Sequence, residues 1–354
     1  MRFPNALPIL IVVSTILFSV TIDSMLQPVI AQDSVPLIEN THPNWSPNGD
    51  KIAFSSSIDG NYEIYVYNLR TLQLSQISRH PADDFYPVWS PGGRLIAYYS
   101  TREDTDDVED QVFANTVISG NFGHKNAGRD SDLPSWAPNG RSIIFHEKDL
   151  YSYNIHITNK YGRHEQKITD NLFNELYPEY SPDGRKIVFT SDQTGYKDIF
   201  VMNKDGSNRI QLTHNESMNL RPTWSPDGKH ILFTSNKAGN FDIYIMDADG
   251  QNLRQLTYHP QYDLGPVWSP DGTAIAFVSD RAGNFDIYSM KVDGSDIKQL
   301  THDPSRDFYP SWAPDARHIA FTSSREGSTI DIFIMREDGT HIRKITGRMT
   351  AGLN

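Results

Sequence analysis

The chain has 354 residues, 38% of them hydrophobic and 11% aromatic, no cysteine, and a formal net charge of −12. The missing cysteine excludes a disulfide framework and a thiolate metal site. No basic face of the kind nucleic acids require is visible, so no nucleic-acid partner is expected. The 23 glycines and 21 prolines are spread along the chain, the mark of many turns rather than one disordered tract.

In chain order, Arg2 precedes an apolar run over 7–20, and Val29-Ile30-Ala31 resembles a small-residue cleavage site. Residues 1–31 therefore read as a secretory signal peptide. The run is short for a spanning helix and is interrupted by Pro8 and Ser14. A periplasmic or secreted protein is expected, with no transmembrane segment in the mature chain. Residues 32–40 form a lead segment, and 347–354 a tail.

Between them, residues 41–346 repeat one phrase. PVWSPDG at 266–272 recurs as PTWSPDG at 222–228, PVWSPGG at 87–93 and PSWAPNG at 134–140. All six tryptophans, Trp45, Trp89, Trp136, Trp224, Trp268 and Trp312, stand in this phrase, and Tyr180 fills a seventh place. Successive anchors lie 44, 47, 44, 44, 44 and 44 residues apart. A fixed period in this range signals a repeat architecture.

Each unit carries four strand signals. A short run ends in the aromatic. Ser-Pro-Asp-Gly then makes a type I turn. An apolar run such as Ile275-Ala276-Phe277 follows, and a loop of about eight residues leads to a third run such as 286–290. An Asp-Gly hairpin precedes a fourth strand ending in Gln-Leu-Thr. Sheets apolar on both faces need a neighbour on each side, and a closed ring supplies one. The expectation is an all-β, seven-bladed propeller of four-stranded antiparallel blades, with six blades and a divergent extra unit as the alternative. The anchor aromatics would wedge between blades. Unit two is irregular, with its third strand poorly marked over 111–117. Unit three lacks the Gly-Asn loop, and unit seven has Ala316 where other units have glycine. Residues 35–38 either add a closing strand or leave the first and last blades to meet by packing alone.

The unit over 268–301, W-S-P-D-G through D-I-Y to Q-L-T, resembles the propeller repeats of the TolB family. It is also similar to those of tricorn protease, prolyl oligopeptidase-type peptidases and oligogalacturonate lyases. The likeness covers roughly 41–346. It implies the fold strongly and the function weakly. A TolB protein carries an α/β domain ahead of a six-bladed propeller, whereas here about ten residues separate Gln32 from the first of seven units. No G-x-S-x-G nucleophile elbow occurs.

The strand order puts the short turns on one side of the disc. The longer second-to-third-strand loops and inter-blade links fall on the other, where binding is expected. Five residues before each anchor stand Asn40, Asp84, Ser131, Glu175, Asn219, Asp263 and Asp307, with Asp132 next to Ser131. They could form a negative rim for a cation or a basic peptide, or cap turns and pair with arginines such as Arg102, Arg281 and Arg325. His80, His214, His259 and His302 recur in the links and are candidate metal ligands. In the family resemblance, lyase-type relatives use a divalent metal on such a face. The insertion over 103–110, which includes Asp106 and Asp107, reads as a solvated loop, a Ca²⁺ loop, or a steering patch for a basic partner. No cofactor is required, and Ca²⁺ or another divalent cation is the only candidate. The expectation is a monomeric, non-catalytic scaffold binding a protein, peptide or envelope component. A metal-assisted lyase or hydrolase acting on an oligosaccharide is the alternative.

Overall fold

The computed structural model describes residues 38–101, 134–148, 151–327 and 329–346, and every regular element among them is a β-strand. The readings over 1–31, 103–110 and 111–117, and the residues Arg102, Ser131 and Asp132, lie outside the described residues. The strands form six four-stranded antiparallel sheets, each a simple meander. Unit five shows the plan: Asn219–Trp224, His230–Ser235, Asp242–Asp247 and Arg254–Gln255.

Unit two departs from it. Only Asp84–Trp89 and Ile96–Ser100 are described, paired as a two-stranded sheet. Seven complete four-stranded blades are therefore not what is found. The alternative holds, six complete blades and a divergent extra unit. The reason is local: after Ser100 unit two departs from the repeat, with three additional residues before the next anchor.

The seven units nevertheless share one axis. Each anchor aromatic packs on the unit before it. Trp224 lies among Val188, Ile199 and Val201 of unit four, and Trp45 among Ala313, Ile332 and Ile334 of unit seven. Trp45 and Trp136 also donate their indole N–H to Ser311 O at 3.1 Å and Val88 O at 3.0 Å. On the short-turn side the proline of one turn lies under the glycine of the next. A methyl group on Gly228 would meet Pro182 at 3.5 Å, and one on Gly49 would meet Pro314 at 3.9 Å. The last contact joins unit seven to unit one. Backbone bonds close the same seam, with Asn40 N donating to Ile330 O at 2.8 Å and Ile330 N to Ile38 O at 2.9 Å. This pairing is a single parallel bridge, Glu39 to Ile330.

The second and third strands are apolar on both faces because each face has a neighbour. Phe54, Phe189, Phe233, Phe277 and Phe321 occupy one repeated position and are fully buried. No helix among the described residues is long and apolar enough to cross a membrane.

Candidate functional site: the central channel

The first strand of each unit faces the axis, and its free edge lines a central cavity of about 640 Å³ to which all seven units contribute. That strand holds a proline two residues before the anchor, in every unit. Proline cannot donate to a ladder, so it belongs on an edge or at a bulge. Both conditions are met here. The pairing of first and second strands shifts register across this point, between Leu220 and Thr223 for example, and between Phe308 and Ser311.

In the six units where it is described, the residue before that proline takes a left-handed backbone and projects into the channel. His42 (φ 56°), Tyr86 (55°), Tyr177 (54°), Arg221 (53°) and Tyr309 (53°) do so, and Gly265 (57°) completes the set. A positive φ on bulky side chains is strained. It recurs here at a bulge that lines the channel, and elsewhere in turns such as those at Leu72 and Asn208. His42 packs on Tyr309 and Tyr86, with ring centroids 3.9 and 4.2 Å away, and the Arg221 guanidinium lies 5.0 Å from the Tyr177 ring centre. His42 is half-buried between these rings, and its desolvation there, with the charge of Arg221, pulls its pKa down to about 3, so it is neutral at physiological pH. Gly265 leaves a notch, open around its Cα, through which the cavity reaches Val278 on the second strand.

One step deeper, immediately before the anchors, lie Asn44, Val88, Ser135, Glu179, Thr223, Val267 and Ser311. Glu179 is the only carboxylate among the described lining residues. Its Oε1 accepts from Trp224 N at 3.1 Å and Thr223 Oγ1 at 3.2 Å. Burial outweighs these bonds and pushes its pKa up to about 7.

The residues five before each anchor are placed differently from an open acidic rim. Asn40, Asp84, Glu175, Asn219, Asp263 and Asp307 are all buried, at 0–1% exposure. Arg281 Nη2 contacts both Asp263 oxygens at 2.8 Å, Arg325 Nη2 contacts Asp307 Oδ2 at 2.8 Å, and Arg209 Nη1 contacts Glu175 Oε1 at 2.8 Å. Each arginine also lies over an aromatic pair, Arg281 over Phe277 and Tyr288, Arg325 over Phe321 and Phe333, Arg209 over Phe189 and Phe200. The negative rim is thus replaced by internal ion pairs, because a buried carboxylate must be paired. Asn40 donates to Ile330 O and Asp331, and Asn219 to Lys197 O and Asp198.

A second buried network lies behind these. Asp198, Asp242, Asp286 and Asp331 accept from the threonine closing the fourth strand of the same unit, Thr213, Thr257, Thr301 and Thr346, at 2.6–3.1 Å. Burial, with Asp263 and Asp307 adjacent, raises Asp242 and Asp286 to about 6.

The link histidines stay apart. His80, His214 and His302 are exposed and His259 is half-buried. Nδ1 of His80 and of His259 accepts a backbone N–H two residues on, from Ala82 at 3.0 Å and Gln261 at 3.2 Å. Asn61 and Asn240 of the Gly-Asn loops donate to the same links, bracing them. Among the described residues, one group of three or more potential ligands lies within 4.8 Å: Glu147, His156 and Glu165 of unit three. None of the predicted histidines belongs to it. Asp106 and Asp107 are outside the described residues.

The channel lining itself escaped the sequence reading. Its signal was present, as the residue preceding the invariantly spaced proline, but that position holds His, Tyr, Arg and Gly in turn and so shows no composition.

A closed ring of meander sheets with a lined axial channel defines a β-propeller. The sequence signature of the TolB beta propeller domain matches over residues 34–176, 125–236, 207–301 and 265–352. The chain belongs to the TolB β-propeller family. No curated protein matched the chain. Among solved structures it is similar to a putative TolB from Agrobacterium tumefaciens, at 21% identity and TM-score 0.55, over 80% of this chain and 87% of that one. It is similar to an oligogalacturonate lyase from Vibrio parahaemolyticus, at 18% identity and TM-score 0.64, over 84% and 90%. A puromycin hydrolase shares the fold at 12% identity and TM-score 0.63, over 89% of this chain and 54% of that one. At these identities the likeness is one of fold.

Proposed function

We propose that the protein is an exported, non-catalytic binding scaffold that receives a protein or peptide segment, or an envelope component, at the mouth of its central channel and on the surrounding long-loop face. The observation that carries this reading is the repeated left-handed position. Five non-glycine residues, three tyrosines, a histidine and an arginine, are held at the pre-proline bulge in a left-handed conformation that turns them into the cavity. Aromatic walls and a mixed set of polar groups suit recognition of an extended segment. The net charge of −12 favours a basic partner through steering. The signal peptide read over 1–31 supports a periplasmic or secreted location.

The test uses the notch. Gly265 has the backbone of Tyr177 and Tyr309, so Gly265→Tyr is compatible with the fold and fills the notch. Displayed random peptides selected against the parent should be basic and should lose tenfold or more affinity for Gly265→Tyr. Selections that enrich nothing, or peptides that bind both proteins equally, would contradict the channel as the binding site. Conversion of oligogalacturonate to an unsaturated product by the purified protein with a divalent metal would contradict the non-catalytic reading.

A further inference from the structure

Glu179 does two things, and only one of them is structural. In unit one, Asn44 Oδ1 accepts from Trp89 N at 3.0 Å, bracing one first strand against the next. Glu179 Oε1 makes the same brace to Trp224 N. A neutral amide is therefore sufficient for the brace, and a carboxylate costs desolvation that Asn44 avoids. The second oxygen, Oε2, takes no part in either bond, and the side chain lines the cavity.

The surrounding charges do not neutralise it. The first strand of unit four brings Tyr177 and Tyr180, that of unit five brings Arg221, and across the channel stand His42, Tyr86 and Tyr309. His42 is neutral. The charge of Arg221 acts on His42, and the guanidinium lies over Tyr177. Glu179 makes no ion pair among the described residues, and the groups that oppose its burial are Trp224 N–H and Thr223. A single carboxylate in a tyrosine-walled cavity suits a cation, held by charge at one end and by ring faces along its stem.

Resting on the channel-binding reading above, we propose that the channel recognises an alkylammonium or guanidinium group, such as a lysine or arginine side chain of the inserted segment, through Glu179 Oε2. The contact is a charge-assisted hydrogen bond and requires the ionised carboxylate. With Glu179 titrating near 7, the ionised fraction grows roughly tenfold from pH 6 to pH 8.

The experiment compares hexylammonium with hexanol, by calorimetry, on the parent and on Glu179→Gln, which keeps an acceptor for Trp224 as Asn44 does for Trp89. Expected are at least tenfold tighter binding of hexylammonium than of hexanol to the parent, and a rise of about tenfold in hexylammonium affinity between pH 6 and pH 8. Glu179→Gln should erase the preference and the pH dependence while leaving hexanol binding unchanged. The pH series on the parent stands by itself if the variant folds poorly. Equal binding of the two probes to the parent, or an unchanged preference in Glu179→Gln, overturns the cation assignment and leaves the channel reading in place. Failure of both probes to bind overturns the cation assignment too. The peptide selection with Gly265→Tyr tests the channel without reference to charge.

Discussion

At the scale of single residues, backbone conformation explains choices that composition hides. The turn after each anchor ends in a residue with positive φ, glycine in six units and Ala316 (φ 55°) in the seventh. A Cβ in that conformation costs about 1–2 kcal/mol, partly offset by the greater freedom glycine has when unfolded. Ala316→Gly should therefore raise stability by about 0.5–1 kcal/mol, read as a higher urea midpoint at unchanged slope. A lower midpoint would mean that the Ala316 methyl makes a compensating contact. Legibility at this scale was uneven. Ser-Pro-Asp-Gly announced its turn because each of its residues has a turn-specific role. The channel-lining residues did not announce themselves, because a bulge fixes their conformation whatever the side chain. Glu179 looked like any strand residue until its neighbours were in place.

At the scale of the blade, the buried acids depend on partners distant in sequence, 18 residues away for Asp263 and Asp307 and 34 for Glu175. Asp263 lies at the start of the first strand of unit six and Arg281 in the loop after its second. Antiparallel pairing brings them together, since Asp263 sits opposite Ser279, two residues before Arg281. Sequence alone offered two readings of this acid, rim or ion pair, because burial decides between them and burial requires the neighbouring blade. Arg281→Ala should cost about 3–5 kcal/mol, since it leaves a buried carboxylate unpaired and removes a guanidinium from two ring faces. Arg281→Lys should recover only part, because a point charge lacks the planar fork. Thermal unfolding of both variants tests this. A loss below about 1 kcal/mol for Arg281→Ala would show that Asp263 is better hydrated than its burial indicates.

At the scale of the molecule, closure makes every interface equivalent. The period of 44, broken once by an interval of 47, made the ring legible, since anchors so spaced describe near-equal sectors. The divergence of the second unit was signalled only as a lapse in pattern, which says that a unit differs without saying how. The seam between units seven and one, closed by Trp45 packing and by the Asn40 and Ile330 backbone bonds, carries a load like the others. Trp45→Ala at the seam and Trp224→Ala far from it should then destabilise alike, each by about 3–5 kcal/mol. A much smaller penalty for Trp45→Ala in denaturant titrations would indicate that the seam opens before the rest unfolds.

The notch at Gly265 carries one more implication. Seven identical spokes would let a guest settle in any of seven rotational settings, a statistical gain of about 1 kcal/mol by multiplicity with no discrimination among them. Among the described lining residues, the one glycine, the one guanidinium and the one carboxyl fall on consecutive sectors, 265, 221 and 179. That clustering breaks the rotational degeneracy of the wheel, so a segment bound as proposed would have one angular setting in which to dock and a reason to be read in only one direction.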